Sequence, residues 1–250
     1  MLKLVLDDAV FFKKSIDAIS VLIDEAEFIA SDSGLELKAT DPSQISMVDF
    51  KLEKKSFKEF NVNGVTRLGL DLDYLSQVMS RAKPKDSLEL NVSDKSSKLS
   101  VVFSGAAKRT FEVPLIDVSS AELPNPKIDF DAELKLKADV LQDGLKDATL
   151  ISTHITLGVD AEKFFMRANS SKGTLNNEIL AKEKGALPEL KVKNEAKSMF
   201  PLDYLSDIVK GAASDSDVLL KMKSNAPLEL SYAIGKAHIR YFLAPRIESD

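Results

Sequence analysis

Leu72-Asp73-Tyr74-Leu75-Ser76 returns as Leu202-Asp203-Tyr204-Leu205-Ser206, an offset of 130 residues. The offset continues past the pentapeptide, where Val78-Met79 corresponds to Ile208-Val209 and Ala82 to Ala212. Upstream, Leu4, Leu6 and Val10 fall 130 residues before Leu134, Leu136 and Val140; at the ends, Pro114 and Ile116 lie 131 before Pro245 and Ile247. The chain reads as two diverged copies of one unit of about 120 residues, and such a long-period repeat governs the fold. A duplicated unit points to a pseudo-symmetric object rather than to one catalytic cleft.

Working outward from the repeat, each half reads strand, helix, strands, helix, strands. Phe12, Ile16, Ile19 and Ile23 recur at helical spacing, and a second stripe runs through Leu72, Leu75, Val78, Met79 and Ala82. Leu35, Leu37 and Ala39 alternate as a strand, Met47, Asp49 and Lys51 continue extended, and Leu88–Val92, Leu99–Phe103 and Thr110–Leu115 alternate again. In the second half Ala138, Leu141, Leu145 and Ala148 form one stripe, and Leu202, Leu205, Ile208, Val209 and Ala212 the other. Strands are readable there at Ala132–Leu136, Ile155–Val159, Lys163–Arg167, Leu175–Leu180, Val218–Met222, Leu228–Tyr232 and Ile239–Leu243. Gly144 costs its helix about 1 kcal/mol against Ala, so either the helix is short there or something approaches it closely. Asp117–Phe130, with Pro124 and Pro126 among Ser and Asp, reads as an extended connector. Its Leu123 and Ile128 suggest that it lies on the surface of a domain. The expected organisation is a domain over 1–117, a connector over 118–130 and a domain over 131–250. The fold class is α+β: two tandem pseudo-symmetric domains of antiparallel sheet with two helices each.

A chain of 250 residues buries roughly three-quarters of its unfolded surface, and so needs no disulfides to hold a core. Cysteine is absent, which fits a reducing compartment. No stretch approaches the ~20 apolar residues of a membrane span, and Met1 leads into a strand-like alternation rather than a secretion signal. The expectation is a soluble, intracellular protein. Its net charge of −5 argues against indiscriminate nucleic-acid binding, although a ring or groove needs basic residues only on its lining.

The residues that carry chemistry elsewhere are sparse. There is no Gly-rich phosphate loop, no His pair at i and i+4 and no Cys, which leaves no candidate catalytic, cofactor or metal site. Ser152 and His154 alternate on a strand, a pattern that could suggest nucleophile and base but also arises by simple alternation; the only other histidine is His238. Asp7-Asp8 precedes a helix and reads as a cap, and Asp32-Ser33-Gly34 reads as a turn. Three features remain. The apolar run Tyr241–Ile247 is either core or the wall of a groove for a partner's apolar side chains. Lys13, Lys14, Arg81, Lys83, Lys146 and Lys210 sit on helices or their edges, as on any solvated helix face. Asp139, Asp143 and Asp147, at spacings of four, make an acidic stripe suited to a basic patch such as Arg81, Lys83 and Arg109 on a neighbouring subunit.

Taken in order, Leu22-Ile23-Asp24-Glu25-Ala26, Asp41-Pro42-Ser43, Val113-Pro114-Leu115-Ile116-Asp117, Tyr204-Leu205-Ser206-Asp207 with Lys210-Gly211, and Leu243-Ala244-Pro245-Arg246-Ile247-Glu248 resemble the DNA sliding clamps of the proliferating cell nuclear antigen family, in particular its archaeal members. The resemblance spans essentially the whole chain. It implies the DNA clamp fold: a closed trimeric ring of six similar domains, helices lining a central hole and sheet outside. By this resemblance the function is that of a DNA polymerase processivity factor, which encircles double-stranded DNA without catalysis or cofactor. Its implied partners are itself as a homotrimer, the replicative polymerase, a clamp loader, flap endonuclease and DNA ligase, the clients binding through short hydrophobic-aromatic peptides. The implied location is cytoplasmic and nucleoid-associated, or nuclear in a eukaryote.

Residue by residue, the resemblance places Lys13, Lys14, Arg81, Lys83, Lys146 and Lys210 on the DNA-facing lining. The chain departs from the family at Gln77 and Ser80, where relatives often carry basic residues, and adds Asp17, Asp73, Asp143 and Asp207. The partner-peptide groove maps to Thr40, Gln44, Ile45, Met47, Leu123, Ile128, Pro227, Tyr241, Phe242, Leu243, Ala244, Pro245 and Ile247, with Phe242 where a Tyr is common. The subunit interface maps to Arg109, Phe111 and Val113 on one edge strand, Leu175 and Ile179 on another, and Asp139, Asp143 and Asp147. Two alternatives stand beside this reading: one subunit of a heterotrimeric clamp for repair or checkpoint functions, and an enzyme on a duplicated scaffold.

Overall fold

Leu2, Leu4 and Leu6 are buried while Lys3 and Val5 are half-buried, the period of two that makes β1 (Leu2–Leu6) a strand with one face on a core. The computed structural model describes residues 1–93, 96–118, 123 and 125–246. The first half continues with α1 (Ala9–Ser20), β2 (Glu25–Ser31), β3 (Gly34–Thr40), β4 (Ser46–Glu53), β5 (Glu59–Val62) and β6 (Thr66–Asp71). It ends with α2 (Leu72–Met79), β7 (Ser87–Val92), β8 (Lys98–Ser104) and β9 (Lys108–Pro114). The second half begins with β10 (Ala132–Lys137), α3 (Ala138–Ala148), β11 (His154–Val159), β12 (Lys163–Ser170) and β13 (Gly173–Leu180). It goes on through β14 (Glu189–Val192), β15 (Ala196–Pro201), α4 (Leu202–Lys210), β16 (Asp217–Met222), β17 (Leu228–Ile234) and β18 (Ala237–Leu243). The described part of the connector carries neither helix nor strand.

Two units result: Met1–Pro42 with Val48–Pro124 and Ile234–Ile239, and Ser43–Met47 with Asn125–Ala233 and Arg240–Asp250. In the first half, strands run in the orders β5-β1-β7-β8-β9 and β4-β3-β2-β6; in the second they run β14-β10-β16-β17-β18 and β13-β12-β11-β15. Strand for strand the orders are the same, which is the duplication read in space. The register agrees: Leu4 lies opposite Phe60 and Leu90, and Leu134, 130 residues on, lies opposite Leu190 and Leu220. Helices pack pairwise, α1 with α2 and α3 with α4.

The 130-residue offset drops by one at the first helix of each half. Ala9 and Ala138 both open their helices and are both buried, so Phe12, Ile16 and Ile19 answer to Leu141, Leu145 and Ala148 at an offset of 129. The equivalent of Val10 is therefore Asp139 and not Val140. The cause is local: Asp7 and Asp8 separate Leu6 from α1, whereas Lys137 alone separates Leu136 from α3. Asp8 caps α1 by accepting from the Val10 and Phe11 amides at 2.8 and 3.2 Å, as expected, and Asp71 caps α2 through the Tyr74 amide at 2.8 Å. The second-half helices have no side-chain cap; Lys137 and Pro201 hold those positions, and Asp139 and Asp203 put charge in the first turns.

Five strands escape the periodicity argument. Strand β2 buries Ala26, Phe28 and Ala30, whose small residues dilute the alternation, and β15 does so with Ala196 and Ser198. Strand β6 buries Leu68, Gly69 and Leu70 in a row, and β5 and β14 have only four residues each. Ile23 and Ala82 extend the helical stripes in sequence but lie in the turns beyond Ser20 and Met79. Gly144 stays helical, and its missing side chain makes room for the Met166 thioether.

Asp32-Ser33-Gly34 is the β2–β3 turn, closed by the pair Ser31 and Gly34. Gly34 has φ 135°, and a Cβ there would collide with the Leu52 carbonyl and sit 2.8 Å from the Lys54 nitrogen. Gly34→Ala is expected to cost about 3 kcal/mol of unfolding free energy. Gly185→Ala, where nothing lies within 4 Å, should stay within about 0.5 kcal/mol. Urea denaturation of the two variants checks the difference.

Candidate functional site

The outward face of α1 carries Lys13, Lys14 and Asp17. Lys13 is ion-paired with Asp17, and Asp17 also accepts from the Ser76 hydroxyl on α2 at 3.1 Å, so these charges are tied into the helix pair. Lys14, Arg81 and Lys83 are exposed, and among the described residues none of them has an ion-pair partner. Arg109, expected at a subunit interface, is engaged inside its own unit. It is ion-paired with the buried Asp86, donates to the Arg81 carbonyl at 2.7 Å and lies 5.2 Å from the Phe103 ring centre. Asp86 accepts in addition from the Lys83 amide at 2.9 Å. Arg109 and Asp86 thus fix the turn that presents Arg81 and Lys83, a scaffolding role with no sequence signal.

On the second unit, α3 exposes Asp139, Asp143, Lys146 and Asp147, while Asp203 and Lys210 are exposed on α4 with Asp207 half-buried. Burial raises the Asp207 carboxyl above its ordinary value, with Lys210 opposing and Asp203 adding to the shift. Gln142 donates to the Val209 and Ala212 carbonyls at 3.0 and 3.1 Å and Tyr232 to that of Ile208 at 2.8 Å, which satisfies the end of α4.

The expected groove residues divide by burial. Tyr241, Phe242 and Leu243 of the apolar run are buried on β18, and Met47 is buried on β4. Tyr241 stacks on Tyr232 with ring centres 6.1 Å apart, and burial pushes the Tyr232 hydroxyl up to about 12 and that of Tyr241 well above 10. The Arg240 guanidinium lies 5.3 Å from the Phe242 ring centre. Accessible positions in the second unit are Gln44, with φ 57°, and the half-buried Ile45, Ile128, Pro227, Ala244 and Pro245. The Ala244 amide donates to the Ile45 carbonyl at 2.9 Å, which brings those two segments together. Thr40 and Leu123 are half-buried in the first unit, where Lys38 donates to the Leu123 carbonyl at 3.4 Å. Ile247 lies outside the described residues.

Strands β9 and β13 each end a strand order. Val113 and Ile179 are buried beneath them, whereas Arg109, Phe111 and Leu175 remain half-buried. Phe111 meets Phe103 edge-on at 5.9 Å. Leu180 is 37% exposed on β13, and Leu150 is 73% exposed just past α3. The turn after Leu150 is held to the β12–β13 hairpin by the Ser170 hydroxyl, which donates to the Ile151 carbonyl at 2.6 Å.

Ser152 and His154 do not form a nucleophile and base. The Ser152 hydroxyl accepts from the His154 backbone amide at 3.2 Å, while the imidazole lies 3.0 Å from the Thr153 hydroxyl and 3.1 Å from the Arg246 guanidinium. Burial and then Arg246 hold His154 below its ordinary pKa, against the pull of Asp203. Among the described residues no group of three His, Asp or Glu is arranged for a metal ion, and no helix is long and apolar enough to cross a membrane.

The model of the proliferating cell nuclear antigen (PCNA) N-terminal domain matches residues 1–123, and that of the C-terminal domain matches 125–247. The chain belongs to the PCNA family. It is 38% identical to the DNA polymerase sliding clamp of Thermofilum pendens over 99% of this chain and 100% of that one. It is 35% identical to DNA polymerase sliding clamp 1 of Thermococcus kodakarensis, over 98% of each. Among solved structures, PCNA from Thermococcus kodakaraensis superposes with a TM-score of 0.94 at 26% identity, covering 98% of this chain and 100% of that one. The C-terminal region of FEN-1 bound to A. fulgidus PCNA gives 0.88 at 29% identity over the full length of both.

The histidine supplies a pH test for this PCNA-family chain. Because the folded pKa lies below the unfolded value of 6.5, the unfolded chain takes up the proton first as pH falls, and stability declines from about pH 6.5 down to the folded pKa. His154→Gln should flatten that decline in urea midpoints measured at about pH 7.5 and 5. Parallel pH profiles for the two proteins would contradict the assignment.

Proposed function

We propose that this chain is the subunit of a homotrimeric sliding clamp, a DNA polymerase processivity factor that encircles duplex DNA and acts without catalysis. The observation that carries the reading is the pair of edge strands, β9 on the first unit and β13 on the second. Edges that pair head-to-tail make a heterologous contact, which either closes into a ring or runs on as a fibre. In the ring, Phe111 and Leu175 meet with Leu180 beside them, and the acidic stripe Asp139, Asp143 and Asp147 faces Arg81 and Lys83 of the neighbour. Arg109 enters indirectly, by holding that basic turn in place.

Function then follows from topology. A ring that surrounds DNA has no need of base readout; phosphate contacts position it without specifying sequence. The proposed lining carries Lys13, Lys14, Arg81, Lys83, Lys146 and Lys210, while the net charge of −5 discourages binding elsewhere on the surface. A polymerase tethered to the ring has a high effective concentration at its template and rarely leaves. Flap endonuclease, DNA ligase and the clamp loader are proposed to bind by short hydrophobic-aromatic peptides at Gln44, Ile45, Ile128, Pro227, Ala244 and Pro245, over the buried floor of Tyr241 and Leu243. The segment 118–130 is the proposed connector between domains over 1–117 and 131–250, and the proposed location is the cytoplasm, on the nucleoid.

Light scattering coupled to size exclusion should give a concentration-independent mass near three times 27.4 kDa, and the trimer, loaded on primed circular DNA, should lengthen the products of a cognate polymerase. A chain that stays monomeric until mixed with a paralogue would replace this reading by the heterotrimeric one. A trimer that leaves product length unchanged would overturn it.

A further inference from the structure

The two units are equivalent in fold but opposite in the charge of their helix faces. Over 9–20 and 72–85, α1, α2 and the following turn hold five basic residues, Lys13, Lys14, Arg81, Lys83 and Lys85, against two acidic ones, Asp17 and Asp73. The matching stretches 138–148 and 202–215 hold two basic residues, Lys146 and Lys210, against six acidic ones. The exchange is positional. With the helix offset of 129, Lys13 and Lys14 become Gln142 and Asp143; with the offset of 130, Arg81, Lys83 and Lys85 become Gly211, Ala213 and Asp215.

We propose that the DNA track of the ring is carried by the first unit alone, through Lys14, Lys85 and their basic neighbours, while the α3–α4 face of the second unit repels the phosphates. This rests on the clamp reading above. Phosphate contact then recurs three times around the ring instead of six. The inference survives the subunit junction: if Arg81 and Lys83 are neutralised by Asp143 and Asp147 of the neighbour, the first unit keeps three basic residues against two acidic and the second two against four.

The basic residues of the second unit stand among more carboxylates. Lys146 stands one helical turn from Asp143 and beside Asp147, and Lys210 acts on Asp207 across one turn. Lys14, Lys85, Lys146 and Lys210 are alike exposed and, among the described residues, none of the four has an ion-pair partner, so the difference between the units lies in the carboxylates around them. A lysine set in a field of several carboxylates attracts phosphate less than one on a net-basic face, so it adds less to affinity and to its salt dependence.

The test is the affinity of the trimer for a fluorescent linear duplex, followed by anisotropy across a salt series, with the mass of every variant checked on the same samples. Lys14→Gln with Lys85→Gln should weaken binding about tenfold at low salt and shallow the slope of log K against log salt. Lys146→Gln with Lys210→Gln should weaken it about twofold or less, and Asp203→Asn with Asp207→Asn should strengthen it. Equal losses from the two lysine pairs, or no gain from the Asp variants, would overturn the proposal. So would a wild-type trimer without salt-sensitive binding. The mass and the polymerase assay tell that last result apart from failure of the clamp reading, because a trimer that lengthens polymerase products without salt-sensitive affinity would keep its function and lose only this track.

Discussion

Strands β9 and β13 hydrogen-bond to a neighbour on one side only, and a strand edge must satisfy its other amides and carbonyls with water or with another strand. Much of the chain answers to that constraint. Short edge strands such as β5 and β14 are protected by charge, with Glu59 paired to Lys3, and Glu189 paired to both Lys135 and Lys191. Strands β9 and β13 are longer, at seven and eight residues, and carry half-buried apolar side chains. The duplication supplies one such edge on each unit, which is what a head-to-tail ring needs. Fold and function are thereby linked through the backbone rather than through a reactive side chain.

Divergence between the copies has left the strand order untouched and altered the helices. The first-half helices are capped by Asp8 and Asp71, the second-half helices rely on first-turn charge, and Gln142 and Tyr232 secure the end of α4. Such changes cost little in the core, because the buried stripes Phe12, Ile16, Ile19 and Leu141, Leu145, Ala148 still fill the same side of each helix. They do change which charges face outward.

How much of this was legible in the sequence depended on the kind of signal. The repeat, the helical stripes and strands with bulky alternation could be read directly, because burial imposes a period. Strands β2, β6 and β15 were hidden by Ala, Ser and Gly at buried positions, and β5 and β14 by their length. The one-residue shift between α1 and α3 was invisible because Val10 and Val140 match by chance of residue type. At the site, the basic helix edges and the acidic stripe were legible as charge. The engagement of Arg109 by Asp86, 23 residues away, is a tertiary fact, as are the exposure of Leu150 and the burial of Tyr241 and Leu243.

The central claim, that two open strand edges close the ring, is tested most directly by amide hydrogen exchange on β9 and β13, read strand by strand across a dilution series. Ring closure predicts that both strands are protected together, as β7 and β12 are, at every concentration where the mass is that of the trimer. Edge amides that exchange rapidly at every concentration would contradict it.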